Sequence, residues 1–483
     1  MKRQRLSMVL GLAGALWISP GLAQLSATAV AAEPRLVLRM AHWLNLLPLD
    51  RSGAQTAPAA EVQNWLPGSS LCQRADATDW QRLTLGESLA RTLCASSTLR
   101  QALANVTEQT AGVTLAEVEL RPRWNLSAGY SMDRNFNSSG SWGRTADATL
   151  GLSWVLFDFG QRNASLRDAR ATLAASLAQQ NNSLIETVRT SLQQYGDAVI
   201  AAASLQATRE AEATATRTAE AAQARYQAQV ASQIDRLQAQ TALEETRLER
   251  VRAEGLWENA RAALALALNA NPGQPMQLVD WESLVQTDQP MPELAVLVQE
   301  ARQIHPRLQA LRYQVDGAQA RLDAAKAQYK GSVSANLAGG TSRNWGSAGA
   351  GSIPAGNAQL RLSLPLFNQR ERQAAEMQAL ARKTQSETEL ETARREVESQ
   401  LWQAYQALLT GRQSVSASER LLTSAQATYQ VAQGRYQAGV GSVLDLLNAQ
   451  TSLAQAQRQQ VSARVELLNA RLGLSLASGR LGR

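Results

Sequence analysis

The stretch AQARYQAQVASQIDRLQAQTAL at residues 222–243 recurs as AQGRYQAGVGSVLDLLNAQTSL at residues 432–453 without a gap. Fourteen of the 22 aligned positions are identical, and the offset between the two stretches is 210 residues. The same offset relates Leu-Ser at residues 152–153 to Leu-Ser at residues 362–363. A constant offset over this length indicates a duplicated structural unit, so we interpret each half of the chain as one copy of that unit.

Each copy contains two segments in which apolar and small polar residues alternate, as expected for β strands. In the first segment, Trp124, Leu126 and Tyr130 alternate with Asn125 and Ser127. One apolar and one polar face suit a wall between lipid and water, although a soluble sandwich of two sheets shows the same alternation. Aromatic residues crowd around the first two segments in a chain that is only 5% aromatic, which favours the membrane interpretation. The four predicted strands cover about residues 123–132, 147–157, 332–339 and 358–367.

A very long helix is predicted after the second strand of each copy. Residues 161–226 and 370–436 contain no proline and very few glycines. At about 1.5 Å per residue each helix is roughly 100 Å long, so it must pack against other rods, and its apolar residues follow a coiled-coil spacing. The short turns at residues 227–232 and 437–442 reverse the chain. Each long helix therefore forms an antiparallel hairpin with the helix that follows it, and the turn is the tip of the hairpin.

The N-terminus has the features of an export signal. Three basic residues within the first five precede an apolar stretch, and Ala-Val-Ala at residues 29–31 fits a cleavage site. A membrane-anchoring helix is the alternative, but the apolar stretch is short and ends at Pro20. The predicted organisation is a signal peptide (1–31), an irregular periplasmic leader (32–82), a first repeat (83–270), an inter-repeat linker (271–292), a second repeat (293–475) and a C-terminal tail (476–483).

The only two cysteines, Cys72 and Cys94, are 22 residues apart in a chain that is predicted to leave the cytoplasm. Export favours a disulfide between them, and two buried thiols are the alternative. Thr84 and Glu87 have the spacing of a capping box, which predicts a helix from residue 83 to about residue 120. A disulfide would tie the irregular leader to this helix.

Charge and motif content exclude several classes of function. The formal charge of +7 includes three basic residues of the signal, and the remaining Lys and Arg form no clustered patch, so we expect no nucleic-acid partner. His42 and His305 are the only histidines, and neither accompanies a cysteine or acidic cluster with metal-ligand spacing. We therefore expect no cofactor, no metal and no enzymatic activity, and the energy for any transport must come from a partner.

Four membrane strands cannot form a complete structure in one chain. Every backbone donor and acceptor inside lipid needs a partner, so a sheet that spans a membrane must close into a barrel, and about eight strands is the smallest useful number. At least two copies of the chain must therefore share one barrel, and their helical hairpins must form a ring with it. A barrel with small polar residues inside, continuous with a helical tube, is a channel.

The duplicated RYQA-x-V-x-S-x-x-D-x-L-x-AQT-x-L at residues 225–243 and 435–453, together with two strand–loop–strand units, resembles the TolC-type outer-membrane channel proteins. The resemblance covers nearly all of the mature chain. It implies an α+β membrane protein that forms a homotrimer, with a twelve-stranded β barrel in the lipid of the outer membrane and a helical barrel in the periplasm. It also implies two partners, a periplasmic adaptor protein at the hairpin tips and an inner-membrane transporter. Cys72 followed by LTLGESLARTLCASSTLRQAL at residues 83–103 is similar to the branch that serves type I protein secretion, in which the transporter is driven by ATP.

The resemblance also implies residues of a periplasmic gate. Asp445 matches an aspartate that narrows the periplasmic entrance, and Asn448 lies where relatives can place a second acid. Three copies of Asp445 around an axis would form an anionic ring that favours cations; a solvated aspartate beside a turn is the alternative. Asp235 and Tyr436 match positions that help to hold neighbouring coils closed. Gly441 stands where a relative has an arginine that bonds across the coils, so we expect that bond to be missing.

The two tips are candidates for adaptor docking, because small residues permit a tight reversal and close packing of one tip on another. An ordinary turn without a partner is the alternative. The residues are Gln229, Val230, Ala231 and Ser232 in the first tip and Gly439, Val440, Gly441 and Ser442 in the second.

Two other functions remain open from the sequence. A channel of a multidrug efflux pump has the same architecture as a secretion channel. The sequence of the channel protein alone therefore distinguishes poorly between these two functions. A soluble periplasmic scaffold or adaptor is less favoured, because it would have one hairpin and no lipid-facing strands, whereas this chain has two hairpins and four strands.

Overall fold

The computed structural model describes residues 72, 79–134, 142–279, 293–346 and 349–479. The predicted signal peptide, nearly all of the leader, residues 280–292 of the linker and the last four residues of the tail lie outside the described residues.

The two repeats have the same order of elements: two helices, two strands and a helical hairpin. The first repeat contains α1 (Leu85–Ala95), α2 (Ser97–Val118), β1 (Arg123–Arg134), β2 (Trp142–Phe157), α3 (Gln161–Gln227) and α4 (Gln233–Ala267). The second repeat contains α5 (Leu294–Ile304), α6 (Pro306–Gln328), β3 (Ser332–Gly346), β4 (Gly349–Ser363), α7 (Gln369–Gln437) and α8 (Val443–Ala477).

The helix predicted from residue 83 to about residue 120 is two helices, so that prediction was wrong in one respect. The capping box at its start is present: the Thr84 hydroxyl accepts from the Glu87 N–H, and the Glu87 carboxylate accepts from the Thr84 N–H. Ser96 breaks the segment because its backbone is not helical (φ −59°, ψ 117°) and its side chain accepts from the Leu99 N–H as the N-cap of α2. Serine competes with the helix for backbone hydrogen bonds in this way, which makes it a frequent cap.

The four strands form one antiparallel sheet in the order β1-β2-β3-β4. Directly paired residues on neighbouring strands lie on the same face, and most pairs join residues of like polarity, although Met132 lies opposite Arg144 and Ser342 opposite Ile353. Trp124 pairs with Leu152, which pairs with Leu337, which pairs with Ala358, and all four lie on one face. The other face carries Asn125, Ser127, Gly129, Asp147, Thr149, Ser153, Asn336, Ser342, Asn357, Gln359 and Arg361. The sheet therefore has one apolar and one polar face across its full width.

The strands are longer than the alternating segments. The glycine-rich segment between the predicted strands at residues 332–339 and 358–367 is paired strand over residues 340–346 and 349–357, and β3 and β4 remain paired out to Gly346 and Gly349. Ladder hydrogen bonds depend on the backbone and not on alternating side chains, so pairing continues where the apolar pattern stops. Pro354 lies within β4 opposite Thr341, and β4 is an edge strand of the described sheet.

The helices pack into a bundle around clusters of buried apolar residues. The centre of the bundle is a cluster on α1, α3, α4 and α8 that includes Leu89, Val188, Tyr195, Leu264 and Val465. The Tyr195 hydroxyl lies within 3.3 Å of the carbonyl oxygens of Leu83 and Val279, so the one polar atom of this buried side chain is satisfied. α3 packs against both α4 and α8, and α8 packs against α7, so the hairpins lie side by side in the order α4, α3, α8, α7.

Cys72 and Cys94 form a disulfide with a Cα–Cα distance of 5.6 Å. Cys94 belongs to the last turn of α1, so the bond attaches the end of the leader to the central cluster of the bundle.

Candidate functional site

Both hairpin tips are built by the same backbone motif. Gln229 (φ 60°) and Gly439 (φ 77°) adopt the left-handed conformation directly after α3 and α7. The N–H of Val230 donates to the Arg225 carbonyl and that of Val440 donates to the Arg435 carbonyl, each at 3.0 Å. This is the Schellman arrangement that ends a helix, and it turns the chain within a few residues. A glycine meets the left-handed requirement at no steric cost, whereas glutamine at position 229 does not.

The helices that leave the tips are capped differently. Ser232 and Asp235 form a complete capping box: the Asp235 N–H donates to the Ser232 hydroxyl oxygen (3.1 Å), and the Ser232 N–H donates to an Asp235 carboxylate oxygen (3.2 Å). Ser442 caps α8 by accepting from the Leu444 N–H at 3.1 Å, so Asp445 is not used in a box. Asp445 is exposed and its carboxylate has no hydrogen bond or ion pair within the described residues. Of the two equivalent aspartates, Asp235 stabilises its helix and Asp445 leaves its charge available.

Tyr436 holds the two hairpins together near the tips. Its side chain is 7% exposed and belongs to a small apolar cluster. The guanidinium carbon of Arg225 lies 4.4 Å from the centroid of its ring, and an Nη of Arg225 donates to the Gln437 carbonyl at 3.1 Å. The members of this tip cluster are Ala222, Ala239, Tyr436, Val443, Leu446 and Leu447, with Ala219, Ala242, Tyr429 and Ala432 packed against it.

The predicted gate residues are thus in three different situations. Tyr436 is in the tip cluster, Asp235 is in the capping box of α4, and Asp445 and Asn448 are exposed one turn apart on α8. Within one protomer, no hydrogen bond joins Asp235 to Tyr436 in the part of the chain that the structure describes. Gly441 has a steric reason to lack a side chain, because a Cβ there would lie 2.9 Å from the Tyr436 backbone nitrogen.

The predicted docking residues lie on the surface of the tips. Val230 is 75% exposed and Val440 is 70% exposed, which is unusual for aliphatic side chains. Ala231 and Gly441 are half-buried. The other predicted residues, Gln229, Ser232, Gly439 and Ser442, are exposed.

Sequence reasoning missed the arginines and a glutamine of the tip region. Arg225 covers Tyr436, and Arg236 covers Tyr226 with its guanidinium carbon 4.7 Å from the ring centroid. Gln450, which is buried on α8, donates from Nε2 to the Ala211 carbonyl on α3 at 3.0 Å. The repeated RYQA and AQT motifs contain one of these arginines and the glutamine, and that repetition was the signal that could have identified them.

The polar face of the sheet provides a second surface of interest. The Asp147 side chain lies over Gly129, and the Asn125 side chain lies over Gly151. A Cβ added at either glycine would be less than 3 Å from the facing side chain, so only glycine leaves room for it. On the apolar face Trp124 is 67% exposed and Leu126 is 77% exposed. These apolar side chains are exposed and no described part of the chain covers them, so this face is not a core among the described residues.

The described residues contain neither a candidate membrane-spanning helix nor a candidate metal-binding cluster. No helix among them is both long and apolar enough to cross a membrane. No group of three or more His, Cys, Asp or Glu side chains among them could hold a metal ion.

The described sheet has an exposed apolar face, an opposite polar face and two margins without a paired strand, and two helical hairpins are attached to it; together these features define one protomer of a membrane channel. The comparisons agree with this class. A model of the family described as outer membrane efflux protein matches residues 89–270 and 297–480. Protein CyaE of Bordetella pertussis is 35% identical over 438 residues, which are 90% of this chain and 91% of CyaE. The chain therefore belongs to the outer membrane efflux protein family.

Solved structures show the same fold at lower identity. CusC, described as forming a transmembrane channel, is 23% identical with a TM-score of 0.70, and the match covers 82% of this chain and 92% of CusC. The outer membrane protein VceC of Vibrio cholerae is 18% identical with a TM-score of 0.69, covering 82% and 96%. The open-state MtrE outer membrane channel of Neisseria gonorrhoeae is 21% identical with a TM-score of 0.67, covering 82% and 88%.

The predicted family, fold class and outer-membrane location are confirmed by these matches. The protein is a protomer of a trimeric outer-membrane channel, and members of its family work together with partner proteins.

Proposed function

We propose that three copies of the chain form a passive conduit from the periplasm to the exterior, and that this conduit serves type I protein secretion. The observation that carries the proposal is the four-stranded sheet, which is apolar on one face, polar on the other and unpaired along β1 and β4 within the described residues. Such a sheet satisfies its marginal backbone groups in lipid only by pairing β4 of one copy with β1 of the next. Three copies then supply twelve strands, with the polar face lining the lumen.

The hairpins extend the conduit into the periplasm. At about 1.5 Å per residue, the 67 residues of α3 and the 69 residues of α7 correspond to roughly 100 Å each. In a trimer the tips meet around one axis, where the exposed carboxylate of Asp445 would form an anionic ring with Asn448 one turn further along α8. Asp235 and Tyr436 would hold the coils around this entrance through helix capping and the tip cluster.

The tips are the proposed contact with a periplasmic adaptor, which links the conduit to an ATP-driven transporter in the inner membrane. The exposed Val230 and Val440 support this, because each presents an aliphatic side chain to solvent at the apex of a tight turn. Apolar side chains exposed on a rigid turn are suited to burial against another protein. The disulfide between Cys72 and Cys94 and the segment at residues 83–103 support the type I branch, because these are the features that resemble it.

An efflux pump for small molecules is the second candidate, and the description of the matching family as outer membrane efflux protein favours it. Both candidates use the same trimeric conduit and differ in the transporter and the cargo.

Two measurements test the proposal. The purified protein should migrate as a heat-sensitive trimer from the membrane fraction and produce stepwise conductance in planar bilayers; recovery as a soluble monomer would contradict the conduit. Affinity purification after mild crosslinking should then recover an ATP-driven transporter with its adaptor. Recovery of a proton-driven pump would instead assign the conduit to efflux.

A further inference from the structure

The apolar face of the sheet carries charge at one end only. Among the described residues of β1–β4, the acidic side chains are Asp133 and Asp147, and the register places both on the polar face. It places Arg134, Arg144 and Arg343 on the apolar face. All three arginines are exposed, and they are the only charged residues of that face within the four described strands. The charge that the apolar face presents is therefore purely positive.

The three arginines lie on neighbouring strands, close to the turns that join β1 to β2 and β3 to β4. Arg144 lies directly opposite Met132 and Trp345, so Arg134 on β1 and Arg343 on β3 are its diagonal neighbours. Diagonal neighbours on a sheet are roughly 7–8 Å apart, so the positive charges extend over about 15 Å across three strands. Like charges at this spacing repel one another, and this face supplies no carboxylate to offset the repulsion.

Tryptophans stack against two of the guanidinium groups. The guanidinium carbon of Arg134 lies 5.6 Å from the centroid of the Trp142 ring, and that of Arg343 lies 5.3 Å from the centroid of the Trp345 ring. Stacking uses the flat face of a guanidinium and leaves the N–H groups at its edge suited to donate to an anion.

The same end of the apolar face also offers hydroxyl groups. Ser352 pairs with Arg343, and its hydroxyl oxygen lies 3.1 Å from that of Thr341. Both side chains are exposed. Hydroxyls beside a cation suit the oxygens of a sugar or a phosphate and do not suit acyl chains. Toward the helices the face is instead made of apolar residues such as Leu126 and Leu360, which are more than 70% exposed.

The distance along the strands places the arginines at the exterior boundary of the membrane. Ten residues separate Trp124, near the helices, from Arg134 on β1. With a rise of about 3.3 Å per residue and a strand tilt of about 40°, this separation corresponds to a height of about 25 Å, which is the height of the apolar band of a membrane barrel. The helices lie in the periplasm, so the arginine end of the sheet meets the headgroups of the exterior leaflet.

We propose that Arg134, Arg144 and Arg343 bind the phosphate groups of a glycolipid in the exterior leaflet of the outer membrane, one lipid at each protomer. The headgroup is a disaccharide that carries two phosphates, because cations spread over about 15 Å exceed the reach of a single phosphate. The guanidinium groups donate bidentate hydrogen bonds to phosphate oxygens, and the hydroxyls of Thr341 and Ser352 contact the sugar. The acyl chains lie along the apolar part of the same face. The inference rests on the orientation of the conduit proposed above and adds a lipid site on its outer wall.

Native mass spectrometry of the trimer in a nonionic detergent tests the site. The probes are diphosphorylated lipid A, the same lipid A with one phosphate removed, and phosphatidylglycerol, which is anionic but has no disaccharide. The wild type should retain the diphosphorylated lipid at one copy per protomer. It should bind the other two probes several-fold more weakly.

Two double variants remove the same charge from opposite faces of the sheet. Arg144→Gln with Arg343→Gln changes the apolar face, whereas Arg123→Gln with Arg361→Gln changes the polar face. The first should bind the diphosphorylated lipid at least about tenfold more weakly than the wild type, because it loses charge-assisted hydrogen bonds to phosphate. The second should bind it as the wild type does. Arg144→Lys with Arg343→Lys keeps the charge and loses the bidentate geometry, so it should also bind more weakly, and it provides the test if the glutamine variant does not assemble.

The outcomes separate this inference from the proposed function. Equal lipid binding by the apolar-face and polar-face variants, in protein that is still trimeric, would overturn the lipid site and leave the conduit intact. Phosphatidylglycerol bound as tightly as the diphosphorylated lipid would overturn the assignment to a glycolipid, since any anionic headgroup would then suffice. A wild-type protein that is not trimeric would instead overturn the conduit on which the site depends.

Discussion

The guanidinium carbon of Arg225 lies 4.4 Å from the centre of the Tyr436 ring, and this contact joins the last turn of α3 to the last turn of α7. A cation over an aromatic ring is stabilised by the negative face of the ring, and the stabilisation is greater where water is excluded. Tyr436 also fills the tip cluster, so a single side chain links the two repeats both by packing and by charge.

Replacing Tyr436 should loosen the tips. Tyr436→Ala removes a large buried side chain, which costs about 3 kcal/mol or more. Limited proteolysis of the folded trimer should then cut faster at the tips, and conductance should rise. Tyr436→Phe is the matched control and should behave like the wild type, because the hydroxyl has no hydrogen-bond partner among the described residues. Equal protection of the alanine variant would contradict a role of Tyr436 in holding the tips.

Asp445 should control ion selectivity without affecting stability. Asp445→Ala removes three exposed charges from the proposed ring, so the ratio of cation to anion permeability should fall. Asp235→Ala should instead lower stability and leave ion selectivity near that of the wild type. It removes a capping box, at a cost of about 1 kcal/mol. Reversal potentials in salt gradients measure the first effect and thermal unfolding measures the second. Unchanged selectivity of Asp445→Ala would refute the ring.

Two adjacent glycines in β3 should respond differently to substitution. A Cβ at Gly340 would lie 2.4 Å from the Ala148 carbonyl oxygen, whereas a Cβ at Gly339 meets no atom within 4 Å. Gly340→Ala should therefore separate β2 from β3 and reduce assembly, at a cost of about 1–3 kcal/mol. Gly339→Ala should assemble normally. The amount of heat-sensitive trimer in the membrane fraction is the readout, and similar amounts for both variants would count against the register described here.

Loss of the disulfide should destabilise the helical bundle. Cys72 and Cys94 enclose a segment with a sequence separation of 22 residues, and closing such a loop contributes about 3 kcal/mol when the entropy of the unfolded chain is considered. Cys94→Ser should lower the apparent unfolding temperature, and reducing agent should lower that of the wild type to the same value. Reducing agent should not change the variant further. A wild type that is insensitive to reduction would contradict this contribution.

Stability should depend on pH through His305. Burial, and secondarily the nearby charge of Arg307, lower the pKa of His305 from 6.5 to about 4, against the opposing influence of Glu186. The unfolded chain therefore binds the proton first as the pH falls. Stability is fully present above about pH 6.5 and decreases by at most about 3 kcal/mol down to about pH 4.

His305→Asn is the matched control for this effect. The His305 Nδ1 accepts from the Arg307 N–H at the start of α6, and asparagine can also act as an N-cap without titrating in this range. The difference in unfolding temperature between wild type and variant should change between pH 7 and pH 5. A constant difference over that range would show that the neutral imidazole is not required for folding.

Much of the fold could be predicted because its signals are local or repeated. The α3 and α7 helices were predicted to within one residue at each end, since long segments without proline and with coiled-coil spacing have few alternatives. Strand ends were less predictable, because the pairing of β3 with β4 continues through glycines that carry no alternating pattern. The break at Ser96 was missed because a serine within a helical pattern can either continue the helix or cap a new one.

The sequence by itself determined the duplication, the four alternating strands, the two hairpins and the need for several copies, since periodicity and backbone hydrogen bonding depend on the order of residues alone. Only the tertiary structure decided which contacts the equivalent residues of the two repeated motifs make. Asp235 is engaged in a capping box and Asp445 is not, and Tyr436 is buried under Arg225 while Tyr226 remains half-buried. These differences arise from packing between helices far apart in the chain, because α3 and α8 meet in the middle of the protomer and α4 and α7 lie at its margins.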